Sequence, residues 1–346
     1  MTSRSSHRSV HLVGTVPAAD APSAFELFAT KLDGLLPVWV PDGETGNRLD
    51  WIQRIIEGLR DHPDLRLAKD GTWSDYTNTP YFAVAPGRKF TTLDLDYSDH
   101  FVESWPAFQA FRQTRQTPHV LQVGIPGHLD LALSAFGFKP TQAFRNLAPF
   151  RDATVREITK IHAVAGDDVL FQLEIPIPLI LLTRLPAPVR PAAAGRLAAE
   201  LVKVVRRSPG GTRFGIHLCY GDMNHESMGD PVDSAPLVKL ANALAKAWPD
   251  AQRLEFVHAP FARGHEPPPL DIEFYRPLAG LRLPDSVRFA AGFVHEDRTL
   301  DELRTLRDQI EALVGSTVDV GASCGLGRRD LERAEVNLEL SRAVAE

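Results

Sequence analysis

Along this chain, short apolar runs alternate with longer stretches whose apolar residues recur every three to four positions. The short runs read as strands: 10–16 (VHLVGTV), 36–42 (LPVWVPD), 119–125, 168–175, 213–219, 253–258, 286–294 and 317–323. The longer stretches read as helices over 23–35, 48–62, 104–114, 129–138, 141–166, 191–208, 234–248, 299–315 and 328–346. Thr299 and Glu302 form a capping-box pattern, and Ser234 stands at an N-cap position. The strands show little polar alternation, the pattern of strands covered on both faces. About eight such strands, nearly all followed by a helix, predict an α/β fold with a parallel sheet. Its simplest closed form is a (β/α)8 barrel, with an open doubly wound sheet as the other arrangement. Residues 1–346 read as one such domain, with a loop-rich insertion around 63–100 in which no element is assigned.

Length and composition are compatible with that reading. The 346 residues are 44% hydrophobic and 24% charged, within the range of globular proteins. The net charge of −6 comes from interspersed acids and bases, which predicts neither a nucleic-acid partner nor attraction to an anionic membrane. The run Lys203–Arg207 alternates basic residues with valines and reads as the solvated face of a helix. Two cysteines make no disulfide framework. The amino terminus carries no secretory pattern, and the apolar run 169–182 is broken by Glu174, Pro176 and Pro178. A cytoplasmic protein with reduced thiols is expected. Neither a G-x-G-x-x-G nor a Walker A pattern is present.

In a parallel barrel the carboxyl ends of the strands line the active site. Here those ends are where polar and metal-competent residues gather. They offer Asp42, Glu44 and Arg48 after the second strand, Gln122 on the next, and Gln172 with Glu174 on the one after. Further along come His217 with Cys219, then Asp222 and His225, His258, His295, and finally Cys324. Side chains alternate along a strand, so His217 and Cys219, two apart, face one side. Cys324 and His258 arrive from other strands. Two sulfurs with one or two imidazoles suit tetrahedral zinc, and three protein ligands leave a position open. Zinc lowers the pKa of a bound thiol, so alkyl transfer to a thiol is a natural chemistry for such a centre.

Each residue also has a plainer reading. An H-x-C pattern is short, and free cysteine is among the most buried residue types. His258 alone is equally a hydrogen-bonded strand-end histidine. Asp42 and Glu44 either serve a substrate or anchor the turn around Gly43 and pair with Arg48. Glu174 is a substrate contact or a loop cap. His295 and His225 are candidate proton donors, substrate contacts or structural groups.

The stretch Gly215–Asp222 (GIHLCYGD) resembles the H-x-C motif of cobalamin-independent methionine synthases. The stretch 319–329 (DVGASCGLGRR) resembles that family's later segment, in which a zinc-binding cysteine precedes Gly-Leu and a basic residue. The similarity is concentrated in residues 210–346. The amino-terminal stretches VHLVGTVP and VPDGETGNRLDWI resemble single-barrel relatives in a superfamily that includes uroporphyrinogen decarboxylases. The resemblance implies a (β/α)8 barrel with zinc at the strand ends and His217, Cys219 and Cys324 as ligands. It also implies a small-molecule thiol acceptor and an alkyl donor, with folate or a corrinoid protein among the donors. Where the family has a glutamate at the end of the next strand, this chain has His258. Either His258 takes the fourth site or that site differs. The length leaves room for one barrel, as in the single-barrel methyltransferases and epoxyalkane:coenzyme M transferases. Two other functions fit the same scaffold: a metal-free lyase of the decarboxylase type, and a small-molecule-binding barrel without catalysis.

Overall fold

A computed structural model describes residues 7–346; residues 1–6, the start of the span read as one domain, lie outside the described residues. The strands are β1 (Trp39–Pro41), β2 (Leu65–Lys69), β3 (Tyr81–Val84), β4 (Val120–Pro126), β5 (Val169–Glu174), β6 (Arg213–His217), β7 (Arg253–Pro260), β8 (Arg288–Val294) and β9 (Asp319–Ala322). Seven of them form one curled parallel sheet in the order β1-β4-β5-β6-β7-β8-β9, with every neighbouring pair parallel. Helices connect successive strands and pack outside, so both faces of the sheet are covered, as the uniformly apolar strands require.

The run 10–16, expected as the first strand of eight, forms a single parallel bridge between Val10 and Val320 rather than a ladder. Asp319 fixes where it enters, accepting the Ser9 N–H at 2.8 Å while pairing with Arg288. The His11 N–H then reaches the Val320 carbonyl at 2.8 Å. Beyond that point side chains take over the work of a neighbouring strand. Gln122 Nε2 donates to the carbonyls of Leu12 and Val13, and Gln172 Nε2 donates to Val13. Buried carbonyls must find donors, and here amide side chains supply them. Among the described residues the parallel sheet therefore has seven strands, and the run 10–16 does not add an eighth.

Two further differences from the sequence reading matter for the site. The segment Pro176–Arg184, left unassigned behind the fourth predicted strand, is a helix with Pro176 in its first turn, where a missing N–H costs nothing. Within 63–100, β2 and β3 pair as an antiparallel hairpin whose connection carries Trp73, Tyr76 and Thr79.

The inside of the curled sheet is layered. At the bottom, Trp39, Val120, Leu170 and Phe256 form a small apolar cluster, with Trp39 stacked on Phe256 at 4.8 Å. The Phe256 ring fills the space a side chain at Gly215 would need. Above this plug lie His11, Gln122, Gln172 and His258, all buried. The interior is thus closed from below, and the cavity opens at the carboxyl ends of the strands.

Candidate metal centre

β6 ends at His217, and the chain continues along β7 with the Leu218 N–H donating to the His258 carbonyl at 3.0 Å. That keeps the backbone extended long enough to place Cys219 beside His217. β9 ends at Ala322, and the following turn brings Cys324 to the same place. Donor atoms of His217, Cys219 and Cys324 all lie within 4.8 Å of one another. The Cys219 thiol donates to the Cys324 sulfur at 3.8 Å, and the Gly221 N–H donates to Cys219 Sγ at 3.3 Å. Accepting the Cys219 S–H holds the Cys324 thiol below its ordinary value, helped by Arg328, while the same bond and burial push Cys219 up. Of the two sulfurs, Cys324 is the more acidic and Cys219 carries the proton of the shared hydrogen bond.

His258 stands behind this group. Its Nε2 lies 3.0 Å from the Ala322 carbonyl, which can only accept, so Nε2 carries the proton. Burial holds the ring's pKa down at about 3, so it is neutral and its Nδ1 is an acceptor. His217 Nδ1, 2.8 Å away, must then donate to it. This leaves Nε2 of His217 with its lone pair, the form a metal ligand needs. His258, a candidate fourth ligand on the sequence, has both nitrogens engaged and sits one step behind His217 instead. Gly292 makes that possible, since a Cβ there would lie 2.5 Å from His258 Nε2.

The centre opens into a cavity of about 180 Å³. Glu44, Glu174 and Asp222 also line it, and Gln122, Gln172, Asp42, Arg48, His225 and His295 do not. Gln122 and Gln172 hold the 12–13 backbone, as described above. Asp42 accepts the Glu44 N–H at 3.0 Å, pairs with Arg48 at 2.9 Å and accepts from Ser104, so it is the turn anchor of its plainer reading. His225 Nε2 meets the Arg328 carbonyl and its ring packs on His265. His295 accepts the Asp297 N–H at 3.2 Å and faces the Gly264 carbonyl.

Glu44 and Glu174 come together from β1's following turn and the end of β5. Both carboxylates crowd the position that a Cβ on Gly124 would occupy. Glu44 adopts φ 42°, a left-handed conformation rare outside glycine, to direct its side chain there. Burial, then the negative charges of Glu174 and Asp42, push the Glu44 carboxyl well above its usual range. Burial, then Cys324, push Glu174 up to about 8. Both carboxyls in this buried space are thus pushed toward their protonated forms.

The sequence reading missed the cavity's cover and outer wall. Trp73, Tyr76 and Thr79 reach over from the β2–β3 hairpin, and Ile177 and Ile180 come from the helix Pro176–Arg184. The Tyr76 hydroxyl donates to the Glu226 carbonyl at 3.2 Å and accepts the Met223 N–H at 3.0 Å. Asn224 Nδ2 donates to the carbonyls of Trp73 and Ser74. Asp130, also missed, is buried and accepts the Ile177 N–H at 2.7 Å. No single-sequence signal linked these segments; only the turn-rich GTWSDYTNTP marked a structured loop.

No protein-family model matches the chain. No curated protein matches it in sequence. Among solved structures it is similar to a B12-independent methionine synthase from Shewanella sp. W3-18-1 in complex with selenomethionine. That match has a TM-score of 0.55 at 13% identity, covering 92% of this chain and 84% of the other. It is also similar to a methyltransferase from Methanosarcina mazei, with a TM-score of 0.50 at 12% identity, covering 97% and 94%. At these identities the likeness is one of fold. No helix among the described residues is long and apolar enough to cross a membrane.

Proposed function

We propose that this protein is a zinc-dependent transferase that moves a methyl or other alkyl group onto a small thiol. The observation that carries the reading is the convergence of His217, Cys219 and Cys324 donor atoms within 4.8 Å at the floor of a closed-bottom cavity. The donor set fits zinc: two soft sulfurs already sharing a proton, and an imidazole whose tautomer is fixed from behind. The structural neighbours, a methionine synthase and a methyltransferase, support alkyl transfer on this scaffold. The run 9–16 would then stand in the eighth position of a barrel of that kind.

Zinc held by these three residues would supply the Lewis acidity that keeps an acceptor thiol deprotonated at neutral pH. The reaction exchanges one S–H and one alkyl–X bond for one S–alkyl and one H–X bond. The chain's own groups provide for the proton. Glu44 and Glu174 hold one in the cavity wall, where it is available to the leaving group X. Trp73 and Tyr76, from the β2–β3 hairpin, line the same cavity as the three donor residues.

The test is a thioether-forming assay on the reduced, zinc-loaded protein with a panel of thiols and methyl, corrinoid, folate and epoxide donors. Thioether formation that disappears in Cys219→Ser and Cys324→Ser is expected. Activity retained in both variants would refute the reading.

A further inference from the structure

We infer that the thiol seated in this cavity has an apolar body and carries no carboxylate, sulfonate or phosphate. The inference rests on the thiol-transfer reading for the word thiol, and on the cavity's walls for everything else.

The walls combine apolar side chains with carboxyl groups. Leu49, Ile52, Phe138, Ile177, Ile180 and Met228 supply the apolar part of the lining. At about 180 Å³ the space is slightly larger than an engineered cavity of about 150 Å³ that takes up benzene. Five carboxyl groups also line it: Glu44, Asp50, Asp130, Glu174 and Asp222. Among the described lining residues, Arg328 is the only arginine or lysine. Its guanidinium is already committed, to Asp50 at 3.2 Å and to Asp222 at 3.8 Å.

An anionic substrate would therefore meet no uncommitted cation. Burial favours the neutral forms of Glu44, Asp130 and Glu174. Even with those three neutral, two carboxylates remain against one guanidinium. Two thiolates would offset the charge of a zinc ion, so the centre adds no positive surplus. Hydrogen bonding points the same way. Asp222 Oδ1 is buried without a partner, and it is an acceptor in need of a donor. A carboxylate or sulfonate on the substrate would be another acceptor. Removing such a group from water without a counter-charge is costly, and specificity arises as much from that penalty as from attraction.

Three probes separate the terms: benzyl mercaptan, 3-mercaptopropanamide, and 3-mercaptopropionate, which replaces the amide by a carboxylate of equal size. Binding to the reduced, cobalt-loaded protein is followed by the change in the thiolate absorption band beyond that given by Cys219 and Cys324 alone. Affinity should fall in that order, with the carboxylate at least about tenfold weaker than the amide, a difference of about 1.4 kcal/mol. The double variant Asp50→Asn/Asp222→Asn, which releases Arg328, should narrow the gap between amide and carboxylate. The S-methyl thioethers of the same three compounds, which need no metal, are titrated into metal-free reduced protein by ligand-observed NMR and should rank alike. A carboxylate that binds as tightly as its amide in both experiments overturns the inference. If the thioethers rank as expected but no thiol changes the thiolate band, the charge inference stands and the thiol-transfer reading fails.

Discussion

His217 Nδ1 and His258 Nδ1 face each other at 2.8 Å, and the Ala322 carbonyl beyond them decides which one carries the proton. This chain of three groups makes His258 a positioning residue. His258→Phe keeps the ring's bulk, removes the acceptor for His217 and leaves the Ala322 carbonyl without its donor. Zinc affinity, measured by competition with a chromogenic chelator, should fall about 10- to 100-fold, the usual effect of removing such a partner. Unchanged affinity would mean that His217 is held by something else.

The Glu44 carboxyl should make stability depend on pH with a definite sign. Its folded-state pKa lies well above the ordinary 4.5, because burial and two neighbouring carboxyls disfavour the charge. As pH rises past about 4.5, the unfolded chain releases this proton and the folded protein keeps it, so folding loses free energy. Glu44→Gln removes the cost without changing shape. The variant should gain on the wild type from pH 5 to pH 8, by at most about 1.4 kcal/mol per pH unit. Urea unfolding at the two pH values checks this. A difference that is constant or shrinks with pH would contradict a buried, protonated Glu44.

Tyr76 ties the hairpin cover to the loop after Cys219 through two hydrogen bonds from one hydroxyl. Tyr76→Phe should cost about 1 kcal/mol or less globally. Its local effect should be larger, with faster amide exchange over 71–80 and 221–228 and unchanged exchange in β4–β9. Uniform acceleration across the sheet would show that the contact supports the whole fold rather than the cover.

Legibility in the sequence followed the physics of each element. The seven sheet strands carry dense β-branched or aromatic runs that few other structures would bury, so their positions could be read. His217 and Cys219 were legible together because strand alternation puts i and i+2 on one side, and both meet Cys324 as expected. The run 10–16 has the same apolar character, yet its pairing is decided by Gln122, Gln172 and Asp319, residues more than a hundred positions away. His258 was placed on the correct strand, but its role depends on a carbonyl of β9, which no local pattern encodes. The cover was invisible for a related reason. Trp73 and Tyr76 sit in a polar, turn-rich segment whose partners, Met223, Asn224 and Glu226, lie about 150 residues downstream. The helix Pro176–Arg184 was hidden by its own composition, since an apolar run with two prolines matches no amphipathic period.

The metal centre is tested most directly by the zinc content and X-ray absorption spectrum of protein purified under reducing conditions. About one zinc per chain is predicted, with two sulfurs at about 2.3 Å and at least one nitrogen at about 2.0–2.1 Å. Cys219→Ser and Cys324→Ser should each lose the metal or a sulfur scatterer. A chain that binds no zinc when reduced, or whose zinc spectrum shows no sulfur ligand, would contradict the assignment.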